Sequence, residues 1–84
     1  MGEKEIGKIT HYFGHASAVV VALTDALKVG DTIHIRGAHD DITQVVDSMQ
    51  VERNPVTEGK VGAQVGIKVA QKVHPHDKVF KVVP

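Results

Sequence analysis

The run from Leu27 to Gly37, LKVGDTIHIRG, constrains the fold more than any other stretch, because it holds a reversal followed by a strand whose two faces are already assigned. Gly30 tolerates the positive φ that a tight turn demands, and the Asp31 side chain can bond its own downstream backbone. Beyond the turn, Thr32, His34 and Arg36 alternate with Ile33 and Ile35. A period of two with one apolar face is the pattern of a half-buried antiparallel strand.

The same pattern continues on both sides of that stretch. Glu5 to Phe13 reads as a first strand, with Gly7, Ile9, His11 and Phe13 on one side and Lys8, Thr10 and Tyr12 on the other. After a turn from Gly14 to Ser17, the unbroken apolar run Ala18 to Leu23 suits a strand covered on both faces, with Val19, Val21 and Leu23 inward. A helix is the rival reading for so short a run, and three successive valines disfavour it. Thr24 to Ala26 breaks the strand, and Gly37 to Asp41 forms a polar loop. Ile42 to Glu52 reads as one long strand with Ile42, Gln44, Val46 and Ser48 on one face. Its apolar residues change phase at Met49 and Val51, which predicts a β-bulge near Asp47 to Met49. Asn54-Pro55 ends that strand, since proline cannot donate to a ladder. Thr57 to Lys60 is a loop, Gln64 to Val69 a strand with Val65, Ile67 and Val69 inward, Gln71 to Asp77 a turn region, and Lys78 to Val83 the closing strand. Six strands joined by Gly- or Pro-bearing connections predict an all-β fold, a six-stranded closed Greek-key barrel, closure removing free edges. The reading is one domain over residues 1–84, ordered across 5–83.

A chain of 84 residues buries only about 60–65% of its extended-chain surface, so the core must be economical. Hydrophobic residues are 42% of the chain but aromatic residues only 4%, with no Trp, which leaves Val, Ile, Leu and Ala to build the interior. Roughly a dozen fully buried aliphatic side chains, at about 1.5–3 kcal/mol each, offset the ordering entropy without a covalent staple. The absence of cysteine removes disulfides and thiolate metal sites and fits a reducing compartment. There is no apolar run of transmembrane length, and Met1 to Glu5 lacks the basic start and apolar centre of a signal peptide, so the expected location is cytoplasmic, with no membrane partner. Met1-Gly2 does not make a myristoylation signal, because Ile6 stands where Ser or Thr is required. Ten basic and ten acidic residues give no net charge. A dedicated nucleic-acid binder is visibly basic, so any RNA contact here must come from a local patch.

The chain carries a resemblance as well. Leu27-Lys28-Val29-Gly30-Asp31-Thr32-Ile33, then Thr43 to Met49, Pro55, Gly59 and Gly62-Ala63-Gln64-Val65-Gly66-Ile67 together resemble, in that order, the second, β-barrel domain of the translational GTPases, such as elongation factor Tu. The likeness runs from about Ile6 to Val82 and implies a free-standing, translation elongation factor-like barrel that contacts RNA or the ribosome. Alignment on Gly62 and Val65-Gly66 places Glu52, Arg53 and Gln64 near the positions that hold the aminoacylated acceptor end in the tRNA-delivering factors. This chain departs from that pattern at Glu52 and Gln64, where an aromatic and an Asn are expected, and at His76, where Gly usually precedes the equivalent of Asp77. Similar small barrels also occur at the C-terminus of collagenase-like peptidases, including enzymes that act on RNA, which implies a second reading as a protein-interaction accessory domain.

The residues limit the chemistry. There is no G-x-x-x-x-G-K-[ST] phosphate loop and no strand-to-helix junction to carry one, so neither nucleotide binding nor GTP hydrolysis is expected. No cysteine nucleophile exists, and Ser17 and Ser48 fall in a turn and at the predicted bulge, so no enzymatic activity is expected. Six histidines raise a metal reading, most of all His74-Pro75-His76-Asp77, with His11, His15, His34 and His39 further off. A proline between two histidines on a turn does not itself converge ligands on an ion, so neither a metal nor another cofactor is assigned from sequence. Stackable and cationic groups gather in Lys8, His11, Tyr12, Phe13 and His15, with Phe13 and Tyr12 assigned first to the core. Lys28, Arg36, Arg53, Lys60 and Lys68 are exposed cations. The candidate RNA- or partner-binding residues are therefore Lys8, His11, Tyr12, Arg36, Glu52, Arg53 and Gln64.

Overall fold

The computed structural model describes residues 2–83 and contains ten strands: β1 (Gly2–Phe13), β2 (Ala18–Leu23), β3 (Leu27–Lys28), β4 (Thr32–Arg36), β5 (Asp41–Val45), β6 (Met49–Val51), β7 (Asn54–Val56), β8 (Glu58–Gly59), β9 (Gln64–Lys68) and β10 (Lys78–Val83). Met1 and Pro84, the ends of the expected domain, lie outside the described residues. Eight strands form one antiparallel sheet in the order β5-β4-β10-β1-β2-β9-β6-β7, and β3 pairs with β8 as a separate two-stranded ribbon. The all-β reading holds. No helix is long and apolar enough to cross a membrane among the described residues.

The expected six-stranded closed barrel does not form, because the predicted long strand from Ile42 to Glu52 is broken. Val46 leaves the ladder and bonds back to the Gly30-Asp31 turn, its O accepting from Gly30 N at 2.8 Å and its N donating to Asp31 O at 2.9 Å. The bulge expected near Asp47 is thus a full interruption between β5 and β6. Where closure would need a backbone ladder, a single side chain spans instead. Gln44 Nε2 donates to Lys68 O at 2.7 Å, and Gln44 Oε1 accepts from Ala70 N at 2.9 Å. One amide cannot replace a ladder, so the sheet remains open with β5 and β7 at its edges. Pro55 is tolerated in β7 because an edge strand needs hydrogen bonds on one side only.

β1 organises the sheet. Its first half pairs with β10 and its second half with β2, and the register shifts between Glu5 and Gly7 and again between Ile9 and His11. Those two irregularities bury Ile6 as well as Ile9 and turn Tyr12, rather than Phe13, toward the core. Phe13 is 52% exposed, which corrects its assignment to the interior. The inward residues expected of β2, β4 and β9 are all buried, and Val46, Met49, Val73 and Val79 complete a core built almost wholly of aliphatic side chains.

Candidate functional site: a trough floored by small residues

The outer face of the sheet can be read as rows of cross-strand neighbours. One row runs His11, Val20, Gly66, Gln50 across β1, β2, β9 and β6. The next runs Phe13, Ala18, Lys68. Small side chains at Ala18, Val20 and Gly66 leave a trough between taller neighbours, and the groove there has a volume of about 620 Å³. Phe13 and His15 stand on one side of it, and Gln50, Glu52 and Arg53 on the other. The lining is mainly apolar and the charge lies at the rim. An apolar floor with charge at its rim can bury apolar side chains and orient polar ones.

The far wall is shaped by an unusual turn. Val51 pairs with Asn54, so Glu52 and Arg53 form a two-residue hairpin loop, with φ of 51° and 69°. Two positive φ values are what a type I′ hairpin requires, and Asn-Gly is the usual solution. Here two long charged residues occupy the loop and project beside the groove.

The structure divides the seven sequence candidates. Glu52 and Arg53 meet at the groove, and His11 lies at its margin, its ring 6.1 Å from that of Phe13. Tyr12 packs against the core instead. Lys8, Arg36 and Gln64 belong to a different row, Asp41-Arg36-Lys78-Lys8-Ala22-Gln64, one register step from the groove. Arg36 also lies 5.4 Å over the Phe80 ring. The sequence reading assigned Phe13 to the core and left His15 unassigned at the groove. It missed the trough floor, because Ala18, Val20 and Gly66 become neighbours only through the β2–β9 ladder.

Two charged clusters lie elsewhere. His34 sits between Glu3, whose Oε2 accepts from Nδ1 at 2.7 Å, and Asp41, which accepts from Nε2. The Asp41 bond, with that to Glu3, raises the His34 pKa against the opposing effect of burial. At the loops flanking the β4–β10 ladder, His74 Nδ1 donates to Asp40 Oδ2 at 2.6 Å and the Asp77 carboxyl lies against Asp40. Burial, with the Asp40 contact, pushes the Asp77 carboxyl up, while its bonds to Asp77 and His74 hold Asp40 down.

Comparison with known proteins replaces the translational resemblance. No family model matches the chain. It is 35% identical over 77 residues to an uncharacterised protease of Methanocaldococcus jannaschii, covering 90% of this chain but only 19% of that protein. The fold matches the C-terminal domain of a Geobacillus thermoleovorans protein described as a U32 peptidase, with a TM-score of 0.89 at 19% identity, over 95% of this chain and 93% of that domain. The selenomethionine form of the same domain gives a TM-score of 0.86. The elongation-factor assignment is therefore corrected: the chain's likeness in sequence is to part of a protease, and in fold to a domain from a U32 peptidase.

Proposed function

We propose that this chain is a non-catalytic accessory domain of a U32-type peptidase system, and that the groove between Phe13 and the Glu52-Arg53 hairpin docks against the peptidase unit it serves. The observation that carries the reading is the 35% identity along nearly the whole chain to a short part of a much longer protease. Such a relation is expected of a module that works beside a catalytic unit. The groove supplies the means, since its small-residue floor accepts apolar side chains while Arg53 and Glu52 fix register at the edge.

The test is affinity capture of the tagged chain from its native lysate, split and washed with or without RNase, followed by mass spectrometry. A U32-type peptidase that persists through RNase supports the proposal. Recovery of ribosomal proteins or tRNA alone, lost with RNase, would overturn it in favour of an RNA-contacting module.

A further inference from the structure

A second site lies beside the β4–β10 ladder. The β4–β10 ladder ends at the pair Arg36 and Lys78, so the next residues out, Gly37 and Asp77, stand side by side. A Cβ at Gly37 would collide with the Asp77 carboxylate, so a glycine there makes room for that side chain. Asp77 is held in place by its own backbone, its O accepting from Ile9 N at 2.9 Å, and its carboxylate accepts from His74 N at 3.1 Å. The loop after Gly37 returns through a Gly37 N to Asp40 O bond of 2.8 Å, which brings Asp40 against His74. One ligand atom from each of Asp40, His74 and Asp77 then lies within 4.8 Å of the others.

Two observations set this cluster apart from an ordinary polar contact. Glu5, Asp25 and Glu58 each face a lysine, and Glu3 and Asp41, which share His34, are open to water, whereas Asp40 and Asp77 face each other and His74 with no lysine or arginine against them among the described residues. Asp77 is nonetheless only 6% exposed. Two carboxyl groups and an imidazole held in contact, one of the carboxyls nearly buried, present converging oxygen and nitrogen donors to a single point. In addition, the cluster borders a cleft of about 350 Å³ lined by His39, His74 and His76 as well as Asp40 and Asp77. His39 and His74 stand edge to face at 6.5 Å. Imidazole nitrogen with carboxylate oxygen is the donor set that first-row divalent ions take, and three protein ligands facing a cleft leave a coordination position open to solvent.

We infer that Asp40, His74 and Asp77 form a binding site for a zinc-class divalent cation. The His74-His76 pair suggested by sequence spacing is not the ligand set, because Asp40, 34 residues before His74, supplies the missing donor. The inference rests on this cluster alone and stands apart from the peptidase reading.

The experiment titrates the chain with zinc by calorimetry, and with cobalt by visible absorption, whose ligand-field bands report the donors directly. Wild type is expected to bind one ion per chain. His74→Ala, at a largely exposed side chain, and Asp40→Asn should each weaken binding by about tenfold or more and abolish the cobalt bands. Gly37→Ala should weaken binding without removing a ligand, by displacing Asp77. Circular dichroism confirms that each variant is folded. No binding by wild type, or equal affinity in folded His74→Ala and Asp40→Asn chains, would overturn the inference.

Discussion

Replacing the hairpin residues Glu52-Arg53 with Asn-Gly should stabilise the fold while weakening partner capture. Both residues hold positive φ, 51° and 69°, in a loop of only two residues between Val51 and Asn54. A residue with a Cβ held in the left-handed region costs on the order of 1–2 kcal/mol. Asn tolerates that region and Gly carries no penalty, so the gross relief is about 2–4 kcal/mol, from which the greater chain entropy of an unfolded glycine removes roughly 1 kcal/mol. The net expectation is a gain of about 1–3 kcal/mol, equivalent to a rise in Tm of roughly 4–24 °C for a chain of this size. Urea denaturation followed by circular dichroism measures it, with the midpoint moving upward and the m-value unchanged. A midpoint that stays or falls would refute the argument that this turn is strained. The same variant removes both rim charges from the groove, so stability and peptidase capture should move in opposite directions.

Three further outcomes follow from the packing and the charges. Gly7→Ala places a Cβ 2.5 Å from the Ala22 carbonyl oxygen and 2.9 Å from Val21 Cγ1, at the position where β1 is shared between β10 and β2. Because a backbone atom in mid-sheet cannot yield cheaply, the urea midpoint should fall by the equivalent of about 1–3 kcal/mol. Phe13→Asp, at a side chain 52% exposed, should leave stability within about 0.5 kcal/mol of wild type yet abolish peptidase capture. The native state binds the His34 proton more tightly than the unfolded chain does, because Asp41 and Glu3 raise its pKa. Its contribution is therefore complete below the unfolded value near 6.5 and is lost as pH rises through the higher folded value. His34→Ala should cost about 2 kcal/mol near pH 5.5 and clearly less near pH 9. A cost that grows with pH would contradict the assigned direction.

What the sequence could reveal divides along the range of the interaction. β4 and β9 were legible because apolar and polar residues alternate, Ile33-Ile35 and Val65-Ile67 facing inward, whereas the unbroken apolar run of β2 predicted cover on both faces and its Ala18-Val20 side is only half covered, at the groove. The Gly30-Asp31 turn was legible because glycine announces the positive φ that it adopts, 99°. The Glu52-Arg53 turn was not, since neither residue signals a left-handed backbone: the strand was carried to Glu52 and stopped at Asn54-Pro55, where the chain in fact returns as β7. The bulges in β1 were also hidden: only the ladders show that Ile6 and Ile9 both point inward while Phe13 points out. The resemblance to a translation factor rested on an ordered set, Leu27 to Ile33, Thr43 to Met49, Pro55, Gly59 and Gly62 to Ile67, which marks strands and the turns between them. Such marks record architecture, and the same architecture serves domains with different partners. Both candidate sites join residues far apart in the chain, Phe13 to Arg53 and Asp40 to Asp77, so strand order alone brings their parts together.

The most direct test of the account is a binding titration of the purified chain against the purified catalytic unit of a U32-type peptidase from the same genome, run with wild type, Phe13→Asp and the Asn-Gly hairpin variant. The account predicts saturable one-to-one binding by wild type, abolished in Phe13→Asp and weakened in the hairpin variant while both remain folded. An absence of binding by wild type, or equal binding by all three, would contradict it.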